Sequence, residues 1–408
     1  MEYSVNKLRG LTAQQWERTM KRHEVILKAI QGEITWIQAA EILGLSCRQM
    51  RRIKKSYEEK GTQGLLDHRI GSPAWNQVPS EVVQKVLKLY REEYFDFNVK
   101  HFHEQIQSEH GIQQSYPWTL YTLQNAGLVP KQNTREKHRK RRERRPLPGM
   151  MIHLDGSDHQ WIGESLPKWD LLATLDDANN EVYHAFFAPE EDTRSVLSIL
   201  RTTIEQQGVF CSLYTDRARH FIVTDKAGEK PDPSIRTQCQ RALDQLGIRL
   251  IPAYSPQARG RGERLWRTFQ GRLPQELRRA GVQSIDNANS YLLEKFIPHY
   301  NERFKVSPSQ AGTAFVPVLA GQDLNRIFSL QYERIVTNDN TVSFKKRVLQ
   351  LPQSSLRFSF ARCKVTVYEH LDGSFSIGYG AHALGTYDSN GILIEIEDPL
   401  KALSKKSA

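Results

Sequence analysis

The sequence predicts a multidomain chain, with all-α modules at the front, an α/β core in the middle and a small all-β unit at the end. Three observations carry that expectation. The 408 residues exceed what one hydrophobic core usually fills and suit several domains of roughly 100–200 residues each. Basic charge is concentrated at the front, with 26 Lys and Arg against 16 Asp and Glu in residues 1–150 and 31 against 30 beyond them. Near residue 150 the texture changes from helical periodicity to an alternation of short apolar strands, turns and helices.

The composition, 39% hydrophobic and 25% charged with four cysteines, is that of a globular chain and excludes a disulfide scaffold or a disordered polymer. Cys47, Cys211, Cys239 and Cys363 make no CxxC pair and no zinc-finger spacing, so all four are read as thiols. The opening segment has no apolar signal core, and nowhere do about 18 uncharged apolar residues run together. Neither export nor a membrane span is expected, which places the chain in the cytoplasm. Local basicity of this kind points to a polyanionic partner, nucleic acid before others.

The first element is a helix from Gln14 to Ile30. Residues 35–57, TWIQAAEILGLSCRQMRRIKKSY, then read as helix, tight turn, helix. Ala39 and Ala40 let a second helix approach, Gly44 supplies the left-handed turn and Ser46 caps the second helix. Met50, Ile53 and Tyr57 form an inward stripe, which turns Arg48, Gln49, Arg51, Arg52, Lys54 and Lys55 outward. In a helix-turn-helix the second helix enters the major groove, where Arg and Gln bond base edges and Lys neutralises phosphates. A surface αα-hairpin with a solvated basic face is the plainer reading of the same residues. This module is placed at 1–72.

A second helical block, 73–130, ends in Ser115–Leu128 with Pro117 near a helix start and Gly127 past its end. It is read as a second helix-turn-helix or winged-helix-like domain. Its histidines, His101, His103 and His110, lack a completing cysteine or carboxylate set and are read as structural or surface residues. A basic linker occupies 131–149. Nine basic side chains stand against two acidic ones between Lys131 and Arg145, among them Arg139, Lys140, Arg141 and Arg142. Such a run stays extended until a polyanion neutralises it.

The core is placed at 150–312. Met151–Asp155, Trp169–Asp176 and Val182–Ala188 read as three strands, Thr193–Gln207 as a helix, Val209–Asp216 and Ile248–Pro252 as two more strands, and Ile235–Leu246 as a helix between those. A three-stranded meander followed by helix-crossing strands is the order of an RNase H-like α/β fold.

Three carboxylates fall where that pattern would gather them. Asp155 lies at the expected end of the first strand, beside Gly156. Asp216 ends the fourth. Glu263 lies in SPQARGRGERLWRTF (residues 255–269), where a Pro- and Gly-rich loop gives way to a basic helix. In-line substitution at a phosphodiester needs charge stabilisation on both the entering and leaving oxygens. Two hard cations about 3.5–4 Å apart do this, and carboxylates are the ligands Mg²⁺ prefers. Arg259, Arg261, Arg264, Arg267 and Arg272 then have a use, admitting a negative backbone to a negative pocket. Asp158 is the substitute for Asp155, and Asp225, in a polar insertion from Phe221 to Pro233, is the competitor of Asp216. Asp176 and Asp177 are expected to serve a hairpin turn.

Asp155, Asp216 and Glu263, with the SPQARGRGER segment, His299–Arg303 and Ser307–Pro308, resemble the DDE catalytic core of retroviral-integrase-type transposases. The layout as a whole is similar to bacterial insertion-sequence transposases of the ISNCY group. The resemblance implies that the three acids hold two Mg²⁺ ions, with Mn²⁺ as a substitute. It also implies that the N-terminal modules bind the element's terminal inverted repeats in double-stranded DNA, that the chain acts on element ends and target DNA as a homo-oligomer, and that it is associated with the bacterial nucleoid. Two other readings remain open. One is a DNA-binding regulator with an inactive RNase H-like domain, the other a structure-selective nuclease. No His-His-Cys-Cys zinc module precedes the core, so the retroviral arrangement does not carry over whole.

In the tail, at 330–400, Arg334–Phe344 and Cys363–Tyr379 each place an Asn, Asp or Gly turn between apolar alternations and read as hairpins. A small β-barrel is expected, similar to the barrel that comes after the core in phage Mu-type transposases.

Overall fold

The computed structural model describes residues 13–65, 77–131, 143–163, 166–223, 235–253 and 260–396. The chain folds as two compact units, Met1–Lys85 and Val86–Ala408. Arg139, Lys140, Arg141, Arg142, Asp225 and Arg259 lie outside the described residues.

In the first unit α1 (Ala13–Ile30), α2 (Trp36–Leu43) and α3 (Cys47–Lys60) are followed by a 3₁₀ turn at Gly61–Leu65. Thr35 caps α2 and Ser46 caps α3, each in a reciprocal box closed by Gln38 and Gln49. Gly44 ends α2 at φ 64°, a conformation open to glycine without a Cβ clash. Ala39, Ala40 and Met50 are buried with Val25, Ile26, Ala29 and Leu65, and Ile53 and Tyr57 pack against them. The inward stripe of α3 is the one its spacing predicts.

The helix α4 (Ser80–Glu92) runs into the second unit, where α5 (Val99–Ser108) and α6 (Tyr116–Asn125) come next. His101 and His103 are buried, bonded to Glu276 at 2.9 Å and to Thr119 at 3.1 Å, which makes them packing residues.

The central sheet has the order β3-β2-β1-β4-β5. β1 (Ile152–His159), β2 (Trp169–Asp176) and β3 (Val182–Ala188) form an antiparallel meander. After α7 (Thr193–Gln207) come β4 (Ser212–Thr215), α8 (Gln238–Gln245) and β5 (Arg249–Pro252), with β4 parallel to β1 and β5 parallel to β4. The strand order is the expected one. Alternation then splits the side chains between two cores. Ile152, Leu154, Leu172 and Leu213 pack with α7 and α8 on one face. Leu171, Ala173 and Leu175 pack with α9 (Gly260–Gln270), α10 (Leu273–Arg279), α11 (Ile285–Tyr291) and α12 (Ile297–Phe304) on the other.

Helices α5 and α10 are held together by charge. Glu104 bonds Arg272 at 2.6 Å, Asp96 bonds Arg278 at 2.7 Å and Glu109 bonds Arg279 at 2.9 Å. Arg272 and Glu104 are 8% and 9% exposed. Arg272 therefore serves packing between helices and is corrected from the set of arginines expected to meet DNA.

After a short helix, α13 (Leu324–Ile327), the tail forms two open sheets. One has the order β12-β11-β10-β9-β6, built from β6 (Leu330–Ile335), β9 (Lys364–Glu369), β10 (Phe375–Tyr379), β11 (His382–Tyr387) and β12 (Leu393–Ile396); the other pairs β7 (Thr341–Phe344) with β8 (Arg347–Gln350). The hairpin over Cys363–Tyr379 is present as β9 and β10. The one over Arg334–Phe344 is not: β6 pairs β9 while β7 pairs β8, so the turn at Thr337–Asn340 passes between sheets. Val342, Phe344 and Leu349 share one core with Val367, Ile377 and Leu384, yet the ladder leaves two edges. Among the described residues the strands do not close into a barrel.

Candidate active site

β1 and β4 are paired in parallel, with Ile152 opposite Leu213 and His153 opposite Tyr214. The pairing ends there; Asp155 lies two residues beyond His153 on β1, and Asp216 lies two beyond Tyr214, just past the end of β4. Side chains two apart on a strand share a face, and the rings of His153 and Tyr214 lie 4.9 Å apart. Asp155 thus shares the face of β1 that His153 occupies, the one covered by α9, and Asp216 is the first residue after β4. Both are half-buried. β1 itself continues to His159, while its pairing with β4 ends at His153, so Asp155 lies within the strand, a correction to the sequence expectation. The antiparallel ladder with β2 carries β1 onward, with Asp155 opposite Ala173 and Asp158 opposite Asp170.

α9 approaches the first of these acids closely. A Cβ on Gly262 would stand 2.9 Å from Asp155 Oδ2, so a larger residue here would make the carboxylate shift. Four residues on, Trp266 Nε1 donates to the same Oδ2 at 3.1 Å. The residue beside Gly262 is Glu263, in the first turn of α9 and exposed. Asp216 folds back on its own chain, Oδ1 accepting from Ala218 N at 2.9 Å.

A fourth carboxylate borders this group. The Glu191 side chain covers Gly156, where a Cβ would collide with its Oε2, and its other oxygen meets His220 Nε2 at 3.1 Å. Neither Glu191 nor His220 carries a local pattern that marks it, and Trp266 reads in sequence only as one of an apolar stripe with Leu265 and Phe269. Their bonds depend on long-range folding.

The donor set is chemically suited to a hard divalent ion, since oxygen carboxylates from adjacent strands are what Mg²⁺ takes. Among the described residues no three His, Cys, Asp or Glu side chains converge as a metal-binding group. α9 is brought to Asp155 through Gly262 and Trp266, Asp216 follows directly on β4, and Glu263 is exposed on the first turn of α9. The residues present therefore fit a metal in kind, with two carboxylates positioned by the sheet and the third on the neighbouring helix turn.

The predicted basic residues divide in two. Arg48, Gln49, Arg51, Arg52 and Lys55 are exposed on α3, as are Arg264 and Arg267 on α9. The Gln49 side-chain oxygen is also the acceptor that closes the α3 cap, 3.2 Å from Ser46 N. Arg261 turns inward to Asp177, Nε 2.8 Å from Oδ1. Asp177 is fully buried. Burial opposes its ionisation, but bonds from His153 and the Arg145 amide and the charge of Arg261 outweigh it and hold the carboxyl below its usual range. Asp176 does serve a turn, accepting from Ala178 N at 2.7 Å, and also takes Gly149 N and the Tyr183 hydroxyl; burial raises its pKa.

Comparison with known proteins finds similar chains. Residues 22–92 match the family model of a winged helix-turn helix. The protein named "Putative transposase y4bF" of Sinorhizobium fredii is 29% identical over 369 residues, covering 90% of this chain and 80% of the relative. The chain is similar to insertion-sequence transposases. The transposase for insertion sequence IS1202 of Streptococcus pneumoniae is 26% identical over 388 residues, 86% of this chain and 82% of that one. Among solved structures, the HTLV-2 integrase catalytic core domain in complex with magnesium aligns over 36% of this chain and 88% of its own, at 16% identity and a TM-score of 0.27. Among the described residues no helix is long and apolar enough to cross a membrane.

Proposed function

We propose that the chain is a DNA transposase that binds the terminal inverted repeats of an insertion sequence and carries out divalent-metal-dependent nicking and strand transfer. The observation that carries this reading is the parallel pairing of β1 with β4, the two strands that lead to Asp155 and Asp216, beside the approach of α9 to Asp155 at Gly262. Similarity to insertion-sequence transposases over most of the chain supports it.

In this account Asp155, Asp216 and Glu263 are the ligands of Mg²⁺, two ions in the full complex, with Mn²⁺ able to replace them. A divalent ion held there stabilises charge on the entering and leaving oxygens of a phosphodiester. Trp266 orients Asp155 through its indole N–H, so that one carboxylate oxygen is fixed by the protein. Arg264 and Arg267 lie on the exposed side of α9 and offset phosphate charge beside the acidic group. Nicking uses water and joining uses the freed 3′-hydroxyl. Both are in-line transfers that need no covalent protein intermediate. The α3 residues Arg48, Gln49, Arg51, Arg52 and Lys55 read the repeat, and the basic linker with Arg139, Lys140, Arg141 and Arg142 tracks the phosphate backbone, Arg259 adding to it near the core. Joining two element ends to a target requires more than one copy, so the working form is a homo-oligomer on DNA.

The test is incubation of the full chain with a duplex bearing the inverted repeat that flanks its gene, with Mg²⁺ and then with EDTA. Metal-dependent nicked and joined strands support the reading. Hydrolysed strands without joined ones indicate a nuclease, and specific binding without nicking indicates a regulator. Wild-type activity in Asp216→Asn or Glu263→Gln removes those residues from the chemistry.

A further inference from the structure

Asp177 gathers four parts of the chain in one buried place. Its Oδ1 accepts from His153 Nε2 of β1 and Arg261 Nε of α9, each at 2.8 Å. Its Oδ2 accepts from the backbone amide of Arg145 at 2.8 Å. Its carbonyl oxygen accepts from Arg261 Nη1 and from Arg144 Nη1, each at 3.1 Å. Its own amide donates to Met151 O at 3.0 Å, just before β1. A carboxylate with no exposed surface, bonded in this way, is a fixed point of the fold.

Position gives this cluster its meaning. Arg261 is the second residue of α9. The next residue is Gly262, which meets the Asp155 carboxylate, and the one after is Glu263. His153 lies two residues before Asp155, on the same face of β1. The same clamp therefore grips the strand that carries one candidate ligand and the helix start that carries another. Arg144 and Arg145 are the last two residues of the basic run, so the exit of the linker ends at the same point.

We propose that Asp177 is a positioning residue for the candidate catalytic centre, gripping Arg261 to set the first turn of α9 and Glu263 against β1, and tying the end of the basic linker to the same anchor. This rests on the functional reading above for its catalytic consequence, while the clamp itself can be tested apart from it. Arg261 is then a structural partner of Asp177 and not a phosphate contact. Its side chain is 12% exposed and its partner's 0%, which leaves a DNA backbone little of it to reach.

The experiment compares the full chain with Arg261→Gln, Arg261→Lys, Asp177→Asn and the Asp177→Asn/Arg261→Gln double variant. Amide hydrogen exchange over residues 260–270 is measured without DNA or metal. Binding of the repeat-bearing duplex across a salt series and single-turnover nicking at saturating DNA with Mg²⁺ complete the set. The proposal expects about tenfold or faster exchange at the start of α9 in Arg261→Gln. It also expects a nicking rate about 30-fold lower with DNA affinity and salt slope unchanged, partial recovery in Arg261→Lys, and a double variant no worse than the poorer single one. If Asp177→Asn fails to fold, the Arg261 pair carries the test. A weaker affinity with a salt slope reduced by about one, alongside wild-type exchange and wild-type saturated rate, overturns it and returns Arg261 to the DNA interface. Absence of nicking in the wild-type chain counts against the functional reading, while the exchange arm still decides the clamp.

Discussion

Replacing Gly262 with alanine perturbs the candidate centre by a single methyl group. The new Cβ would stand 2.9 Å from Asp155 Oδ2 and 3.8 Å from its Cγ, so the carboxylate must give way. It moves against the indole N–H of Trp266, which bonds the same oxygen at 3.1 Å. Weakening a hydrogen bond to a charged acceptor costs about 1.5–3 kcal/mol, and exchanging Gly for Ala inside a helix returns about 0.8–1 kcal/mol. The net loss is about 0.5–2 kcal/mol, or roughly 1–3 °C in Tm for a unit of this length. Chemistry is more sensitive: moving the carboxylate from 2.9 Å to an ordinary contact of 3.4 Å is about half of the roughly 1 Å misplacement that costs about 100-fold, so a loss of about tenfold in rate is expected. Single-turnover nicking at a temperature well below both melting points, beside thermal melts of each protein, separates the two effects. A Gly262→Ala protein that nicks at the wild-type rate refutes the reasoning, because Asp155 could then move without consequence.

The same structure sets three other outcomes. Glu104→Gln leaves the buried Arg272 without its carboxylate and is expected to cost about 3 kcal/mol, lowering Tm by about 4 °C, read by calorimetry, with DNA affinity unchanged. Arg52→Ala on the exposed face of α3 is expected to weaken binding of the repeat-bearing duplex and reduce the salt slope by about one if it meets a phosphate, or to relax base preference at one position if it meets a base edge. Asp177 has a depressed pKa in the folded chain; the stability it contributes is full above its unfolded value of about 3.9 and is lost as pH falls through that value towards the folded one. Melts between pH 5 and pH 3 should therefore show a steeper fall for the wild-type chain than for Asp177→Asn, and equal slopes would contradict the assignment.

Features that depend on near neighbours are legible in the sequence. Gly44 and Ser46 mark the turn and cap of the helix-turn-helix because their roles are set by residues two or three away, and the structure has both. The five strands and two helices of the core are readable because alternation and helical spacing are local properties, and their order comes from pairing rules. Asp155 reads as a strand end because Gly156 and Ser157 look like a break, whereas pairing with β2 carries β1 on to His159. Arginine partners are not legible. Arg261, Arg264, Arg267 and Arg272 look alike in a basic segment, but Arg261 meets Asp177 and Arg272 meets Glu104, 168 residues away. The turn at Thr337–Asn340 reads as a hairpin because its residues are turn formers, while the shared core of the two sheets selects the partner of each flanking strand. The close approach of Gly262 to Asp155 likewise depends on where α9 lands, which no local spacing encodes.

The central claim concerns where a divalent ion binds, and anomalous scattering from Mn²⁺ in crystals of the DNA-bound protein addresses it most directly. The account predicts a manganese peak between the carboxylates of Asp155 and Asp216, with Glu263 turned in to join them, and loss of that peak in Asp155→Asn. Manganese bound elsewhere in the core, or an ordered complex with these three side chains apart and no ion near them, would contradict it.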